Sequence, residues 1–448
     1  MIKRLRECLA GGGVLDWVPL AYLVLVPSLM FLTNIGERVY QDVFFVGLLI
    51  WAALRRQADW SPGVVSIWVA WVGYALWATL TDYLGSGVLT PDWFRGAALL
   101  MLLPWLVAWV SRDEVRAAIS IGLRLALVVA TVTALVQVYL LDVPRAHGSE
   151  NANIFALLMA LYGVFVIHES LRRGSKWVPL WVFMALVPLG LSGSRTALAS
   201  FFVVLLVLIF IHRRQLPLKL ISAGLAGVAV LIGVIAGPKL IERSGTLFAH
   251  LSADNEGVSA LAEKVATMDF VERTSSEGED KLVLKREFRS SLGYRLVYWR
   301  TGWEVAKAHP WVGVGSAGDM KTLGDRLGIG DWLAQRHSHV HNTFLQHLVT
   351  GGVPKLSLLL IALALPILLL RRRGERDRAW LIVAVTLAAS LAGLTAVVFE
   401  LHQFIFIYTL VLAYALTASI HRGTAGATGV AATRCDRRPH RQQDNSWD

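Results

Sequence analysis

The sequence predicts an all-α polytopic integral membrane protein of about twelve transmembrane helices with one large loop that itself contains helices. Three observations carry this prediction. The 448 residues are 55% hydrophobic and only 17% charged, with mean hydropathy +0.54, too few polar residues for a soluble chain to cover its core. Apolar runs long enough to cross a bilayer recur, such as VLDWVPLAYLVLVPSLMFLT from Val14 and LKLISAGLAGVAVLIGVIAG from Leu218. Basic residues fall in short clusters between those runs, at Lys3/Arg4/Arg6, Arg55/Arg56, Arg172/Arg173/Lys176, Arg213/Arg214 and Arg371/Arg372/Arg373. That alternation reflects membrane topology. The net charge of +11 therefore does not point to nucleic acid, and no nucleic-acid motif accompanies it.

Residues 1–236 are predicted to hold nine spans, centred near Val24, Gly47, Val72, Leu103, Val129, Leu158, Ala185, Leu205 and Ala229. Residues 237–342 form the large loop. Residues 343–420 hold three more spans, near Leu359, Thr386 and Tyr408. The tail, 421–448, is small, polar and basic, and is expected to be disordered near anionic headgroups. With the N-terminus inside, the basic clusters all lie on the cytoplasmic side. The short outside loops then hold only Arg38, Arg95, Arg145 and Arg195. Both termini are cytoplasmic in this topology, as are Cys8 and Cys435, so no structural disulfide is expected. The first apolar segment lacks a small-residue cleavage site and is predicted to be a retained helix. No inverted internal repeat of the transporter kind is visible.

The outward face carries the residues with chemistry. The turn LSGSRTALAS places Arg195 between two spans, where an unpaired charge beside hydrocarbon is costly. A snorkelling arginine and an anion site are both open readings, the second because a guanidinium fork matches phosphate oxygens. The loop DVPRAHGSENANIFA carries Arg145, His147, Asn151 and Asn153. In SSLGYRLVYWRTGWEVAKAHPWVGVG, Leu292, Leu296, Trp299, Trp303 and Ala306 recur at helical spacing. That stripe is expected to pack an amphipathic helix on the membrane domain. Arg295 lies off it, either as a solvated loop arginine or pointing into a cavity.

The stretch RHSHVHNTFLQHL holds His337, His339, His341 and His347. His337 and His341 stand four apart, as in zinc helices, but the Glu of HExxH is missing and no third ligand is near. A solvated polar loop is a second reading. The third makes His341, beside Asn342 at the mouth of the tenth span, a general base. Gly313-Val-Gly315-Ser-Ala-Gly318 spells GxGxxG without a strand before it or a βαβ unit around it, and is read as a glycine-rich turn. No Asp-x-Asp pair occurs, which removes one familiar way to hold a divalent metal against a diphosphate and leaves arginines as charge stabilisers.

SGSRTALAS, then SLGYRLVYWRTGWEVAKAHPWVGVG, then HVHNTFLQHLVTGGVPKL, in that order around one long loop, resemble the bacterial O-antigen ligase/polymerase family. The resemblance implies a GT-C-like membrane glycosyltransferase of the bacterial inner membrane with a periplasmic active site. It implies metal-independent, inverting transfer of O-antigen from undecaprenyl pyrophosphate to a sugar hydroxyl of lipid A-core, with no cofactor. It places the essential histidine on His341, the pyrophosphate-binding arginines on Arg195 and Arg295, and further substrate contacts on Arg145, Asn153, His337, His339 and Asn342. The family's second glycine after the His-Asn pair is absent: Gly352 is followed by Val353, Pro354 and Lys355. The O-antigen polymerase, with the same donor, is the alternative within the family. A lipid-linked glycan flippase is the alternative outside it, and predicts interrupted helices and charges deep in the bilayer.

Overall fold

The computed structural model describes residues 14–33, 37–55, 57–87, 99–149, 151–213, 270–276, 279–284, 291–316, 318–329 and 338–417, with positions 263, 265, 267 and 268. These include α1 (Val14–Leu32), α2 (Glu37–Arg55), α3 (Pro62–Ser86), α4 (Leu103–Val110), α5 (Asp113–Leu135, continued by a π-helical turn Val136–Leu140), α6 (Ala152–Arg172), α7 (Val178–Ser192) and α8 (Arg195–His212). The loop lobe follows with β1 (Val271–Ser276), β2 (Glu279–Leu284), α9 (Ser291–Ala308) and α10 (Asp319–Leu327). The chain returns to the bundle through α11 (Thr343–Arg372), α12 (Arg376–Gly393) and α13 (His402–Leu416).

Eleven of the expected span centres fall in these helices; the ninth, near Ala229, and the tail lie outside the described residues. Among the described residues, five helices are long and apolar enough to cross a membrane: Pro62–Gly85, Asp113–Leu140, Ala152–Arg172, Arg195–His212 and Thr343–Arg372. Shorter apolar helices occupy Val18–Leu32, Asp42–Ala53, Val178–Ser192 and His402–Leu416. Local sequence accounts for the shortening. α4 has Pro104 in its first turn, α7 ends at Gly193 with φ 64°, and α12 opens on Arg376, Asp377 and Arg378. The pattern is that of a polytopic helical membrane protein, with fewer full-length spans among the described residues than the sequence predicts.

The all-α expectation needs one correction. β1 and β2 pair antiparallel, from Val271 opposite Leu284 to Ser276 opposite Glu279. The two residues between them in sequence, Glu277 and Gly278, are a short glycine-containing connection that suits a hairpin.

α6 is the central post of the bundle. Every residue from Phe155 to Leu171 is buried, and α5, α7, α8 and α12 pack around it. A helix that is apolar on all faces is buried on all faces. At the end of the bundle where α6 finishes, the basic clusters collect. Glu169 is ion-paired to Arg172 at 3.1 Å and Arg173 at 2.9 Å, and Arg378 of α12 feels the charges of Arg172 and Arg116.

The helix predicted from SSLGYRLVYW forms as α9, but its buried stripe differs from the expected one. Val297, Tyr298, Thr301, Gly302, Val305 and Ala306 face inward, while Trp303 is exposed beside Lys307. Gly302 explains the rotation: α11 packs so close there that a Cβ would lie 3.3 Å from Leu345 Cδ2 and 3.4 Å from Val349 Cγ2. Hydrophobic periodicity reads only the large residues.

α11 is broken at Gly352 (φ 68°, ψ −169°). The break orphans the carbonyls of Val349 and Thr350, because Val353 turns away and Pro354 has no N–H. Each finds a substitute donor, Val314 N–H at 2.8 Å and Gly315 N–H at 3.1 Å, and Trp77 Nε1–H donates to Gly351 O at 2.9 Å. The freed Val353 N–H donates to Pro310 O at 2.7 Å. The glycines of the GxGxxG stretch thus serve a close backbone crossing, since a Cβ on Gly313 would lie 2.5 Å from Gly351 N. A Cβ on Gly352 would meet Pro310 O at the same 2.5 Å. Gly352→Ala is therefore expected to lower stability by at least about 1–3 kcal/mol from backbone strain alone, read as a fall in melting temperature in detergent.

Beyond the break, Lys355 is fully buried, donating to Thr350 Oγ1 at 2.8 Å with Glu400 at 4.0 Å. It lies in the first turn of the helical segment that follows the break. Arg124 is half-buried on α5, bonded to Ser120 O at 2.9 Å and stacked over Trp181.

Candidate active site

α11 begins where the histidine stretch ends. Asn342 caps it, its Oδ1 accepting from Leu345 N–H at 3.0 Å and its Nδ2 donating to Leu394 O at 3.2 Å. His341, one residue earlier, has φ 55°, a left-handed conformation uncommon for any residue but glycine. Its ring stacks on Tyr298 (centroids 6.0 Å, 17° between planes) and meets His339 edge-on at 4.3 Å. Tyr298 is itself buried, and burial raises its pKa from the usual phenol value.

Arg195 is the first residue of α8, exposed at the tip of the α7–α8 turn. Beside that turn lies the 142–151 loop. Arg145 Nε–H donates to Ser192 O at 2.6 Å and its Nη2–H to Asn153 Oδ1 at 3.2 Å. Ala146 N–H donates to Leu191 O at 3.0 Å, and Ser149 N–H to Phe31 O at 2.8 Å. Gln137, in the π-helical turn, grips the same loop: its Oε1 accepts from His147 N–H and Gly148 N–H, and its Nε2 donates to Gly148 O. Arg145 and Asn153, two expected substrate contacts, are thus bonded to each other and to the neighbouring turn.

Two sequence-distant turns meet through the α12–α13 connection. Thr395 Oγ1–H donates to Thr196 Oγ1 at 2.7 Å, next to Arg195. Its neighbours Leu394 and Ala396 supply the carbonyls that accept from Asn342 and from Thr343 Oγ1, the latter at 2.9 Å. Val398 N–H returns a bond to Thr343 Oγ1. Arg195 and His341 therefore occupy the same end of the bundle, opposite to the basic clusters. The N-termini of α6, α8 and α11 all open at this end, and each carries partial positive charge that favours an anion.

Arg295 lies on α9 one turn before Tyr298, and so approaches the same place from the loop lobe. It is partly buried, and desolvation lowers its pKa from the ordinary guanidinium value. A guanidinium keeps its charge at neutral pH regardless. His337 lies outside the described residues. Among the described residues no cluster of His, Cys, Asp and Glu is arranged to hold a metal ion.

His347 faces away from this group. Buried, its Nδ1–H donates to Thr343 O at 2.6 Å, because a carbonyl only accepts; Nε2 then accepts from Tyr74 O–H at 2.7 Å.

Several participants were invisible in the sequence reading. Tyr298 was lost behind the louder Leu/Trp stripe. Gln137, Asp319 and Gln346 signal only as polar residues within helical stretches. Asp319 Oδ2 accepts from Gln346 Nε2–H at 2.6 Å and Oδ1 from Met320 N–H at 2.5 Å. Asp82 Oδ1 accepts from Ser316 N–H at 2.7 Å, pinning the loop lobe to α3.

Residues 180–360 match the family model described as O-antigen ligase. The match runs from α7 to beyond the break in α11, and so contains Arg195, Arg295 and His341. No curated protein matches the chain. With arginines and an imidazole gathered at one end of a helical membrane bundle, the segment 180–360 that holds them is similar to the O-antigen ligase domain, a glycosyltransferase family.

Proposed function

We propose that the chain is an O-antigen ligase, transferring O-antigen polysaccharide from undecaprenyl pyrophosphate to a sugar hydroxyl of lipid A-core at the periplasmic face. In this reading the fold is GT-C-like, the basic end of the bundle is cytoplasmic, and residues 237–342 form a periplasmic lobe. His341 takes the proton of the acceptor hydroxyl as its oxygen attacks the anomeric carbon. The bond from that carbon to the pyrophosphate oxygen breaks on the opposite face, which inverts the configuration. Arg195 and Arg295 neutralise the charge that grows on the departing pyrophosphate, and no metal is needed. Arg145, Asn153, Asn342, His337 and His339 line the approach of the two glycans. Both substrates carry lipid tails, which suits a catalyst built mainly of membrane helices.

The observation that carries this reading is the hydrogen-bonded connection Thr196–Thr395 and Leu394–Asn342, which ties the Arg195 turn to the His341 turn. The break in α11 and the buried Lys355 are features a flippase would also use. Here, however, the loop backbone takes up the freed carbonyls, as a packed crossing requires, and Lys355 is enclosed rather than facing a passage.

The test is reconstitution of purified protein with lipid-linked O-antigen and lipid A-core in the presence of EDTA. Capped core lipid is the expected product. Lengthened lipid-linked chains without capping would make the protein a polymerase, and loss of transfer on adding EDTA would restore a metal. In the same assay, Arg195→Ala is expected to lower turnover by about 10²–10³-fold, the scale for one lost charge stabiliser. Arg195→Lys should recover only part, since an ammonium lacks the bidentate fork.

A further inference from the structure

His341 owes its unusual backbone to its neighbours. On one side Asn342 is fixed by its own cap and by Leu394 O. On the other, Val340 is fully buried, and its N–H, which precedes any helix, must find an acceptor. It finds Gln346 Oε1 at 2.9 Å, a side chain reaching back from the second turn of α11 past the cap. That bond settles the amide's orientation: the oxygen faces Val340, so the nitrogen faces Asp319, where it donates at 2.6 Å. Asp319 is 2% exposed and Gln346 1% exposed, so neither bond has water as a substitute.

We propose that Gln346 and Asp319 are positioning residues for the transfer reaction, holding the Val340–His341–Asn342 turn so that the imidazole is presented to the acceptor hydroxyl. The proposal rests on His341 being the base. A left-handed residue persists only where its surroundings over-determine it, and this pair supplies half of that determination. It also links the base to the rest of the loop lobe, because Asp319 opens α10 and Ser316, three residues earlier, is bonded to Asp82. The charged groups facing Asp319 are Lys355 of α11 and Glu400 of the α12–α13 connection. Burial pushes the Asp319 carboxyl up to about 7, and the Gln346 and Met320 bonds oppose that rise. Either protonation state keeps both oxygens able to accept, so the native lock is insensitive to which one prevails.

Gln346→Glu converts the lock into one that titrates. A neutral glutamic acid accepts from Val340 N–H through its carbonyl and donates its O–H to Asp319, reproducing both bonds. An ionised one has nothing to donate and sets two carboxylates against each other. The experiment measures kcat and KM for native protein, Gln346→Glu, Gln346→Leu and His341→Ala from pH 6 to 8, each variant expressed as a ratio to native at the same pH. The expected result is a Gln346→Glu kcat near native at pH 6 and lower by about tenfold or more at pH 8, with KM unchanged, because paired carboxylates share one proton. Gln346→Leu should be low in kcat at every pH; if it does not fold, Gln346→Glu carries the test alone. A flat Gln346→Glu ratio, or an effect confined to KM, while His341→Ala is inactive, overturns the positioning role and leaves the base assignment standing. Full activity in His341→Ala overturns the base assignment itself.

Discussion

His341→Ala leaves a folded, membrane-embedded protein whose transfer rate is lower by about 10²–10⁴-fold, the usual contribution of one positioned base. The fold should survive because the imidazole lies outside any helix and is only partly buried. Its loss forfeits the stacking on Tyr298 and the edge contact with His339, about 0.5–1.5 kcal/mol for a ring pair. A companion variant separates chemistry from stability. At φ 55° glycine is more comfortable than any other residue, so His341→Gly should melt closer to native than His341→Ala while losing as much activity. Melting curves in detergent and rates with lipid-linked donor check both halves. If both variants keep native rates, the proton acceptor lies elsewhere in the histidine stretch.

Lys355→Ala is expected to be among the most destabilising single changes in the bundle, by about 2–5 kcal/mol, the scale for truncating a fully buried long side chain. Lys355 is completely enclosed, and its ammonium stands between Thr350 Oγ1 and the Glu400 carboxylate. Truncation empties the space of the stem and leaves the carboxylate uncompensated. Lys355→Met keeps most of the volume and removes only the charge. Combining it with Glu400→Gln should recover part of the loss, because neither group then demands a counter-charge. Thermal melting of native protein, Lys355→Met, Glu400→Gln and the double variant measures this, and strictly additive losses would show that the two groups do not interact.

The membrane helices were legible because their signal is simple: long apolar runs with basic residues between them. Helix length was less so. Proline at the start of α4, the left-handed Gly193 and the charged opening of α12 shorten segments whose hydropathy alone reads as spans. The hairpin β1–β2 escaped because its alternation is weak and polar. The inward face of α9 was misjudged for a physical reason: Gly302 and Thr301 set the contact, and small residues leave no mark in a search for large ones. At the candidate site the charged residues drew attention, while the side chains that hold the turn did not. Gln346, Gln137 and Thr395 act through hydrogen bonds across 6 to 199 residues of chain, a relation no local pattern encodes.

The break in α11 has a consequence for dissecting this molecule. The helix cannot be completed by its own backbone, because Pro354 has no amide hydrogen to offer and Val353 bonds to Pro310 instead. Excising the lobe would strip Val349 and Thr350 of their amide donors inside an apolar layer, and an isolated lobe would carry open amides at Val314 and Gly315. Neither half is a self-sufficient fragment, so mapping by deletion will report misfolding; point substitutions are the appropriate tool.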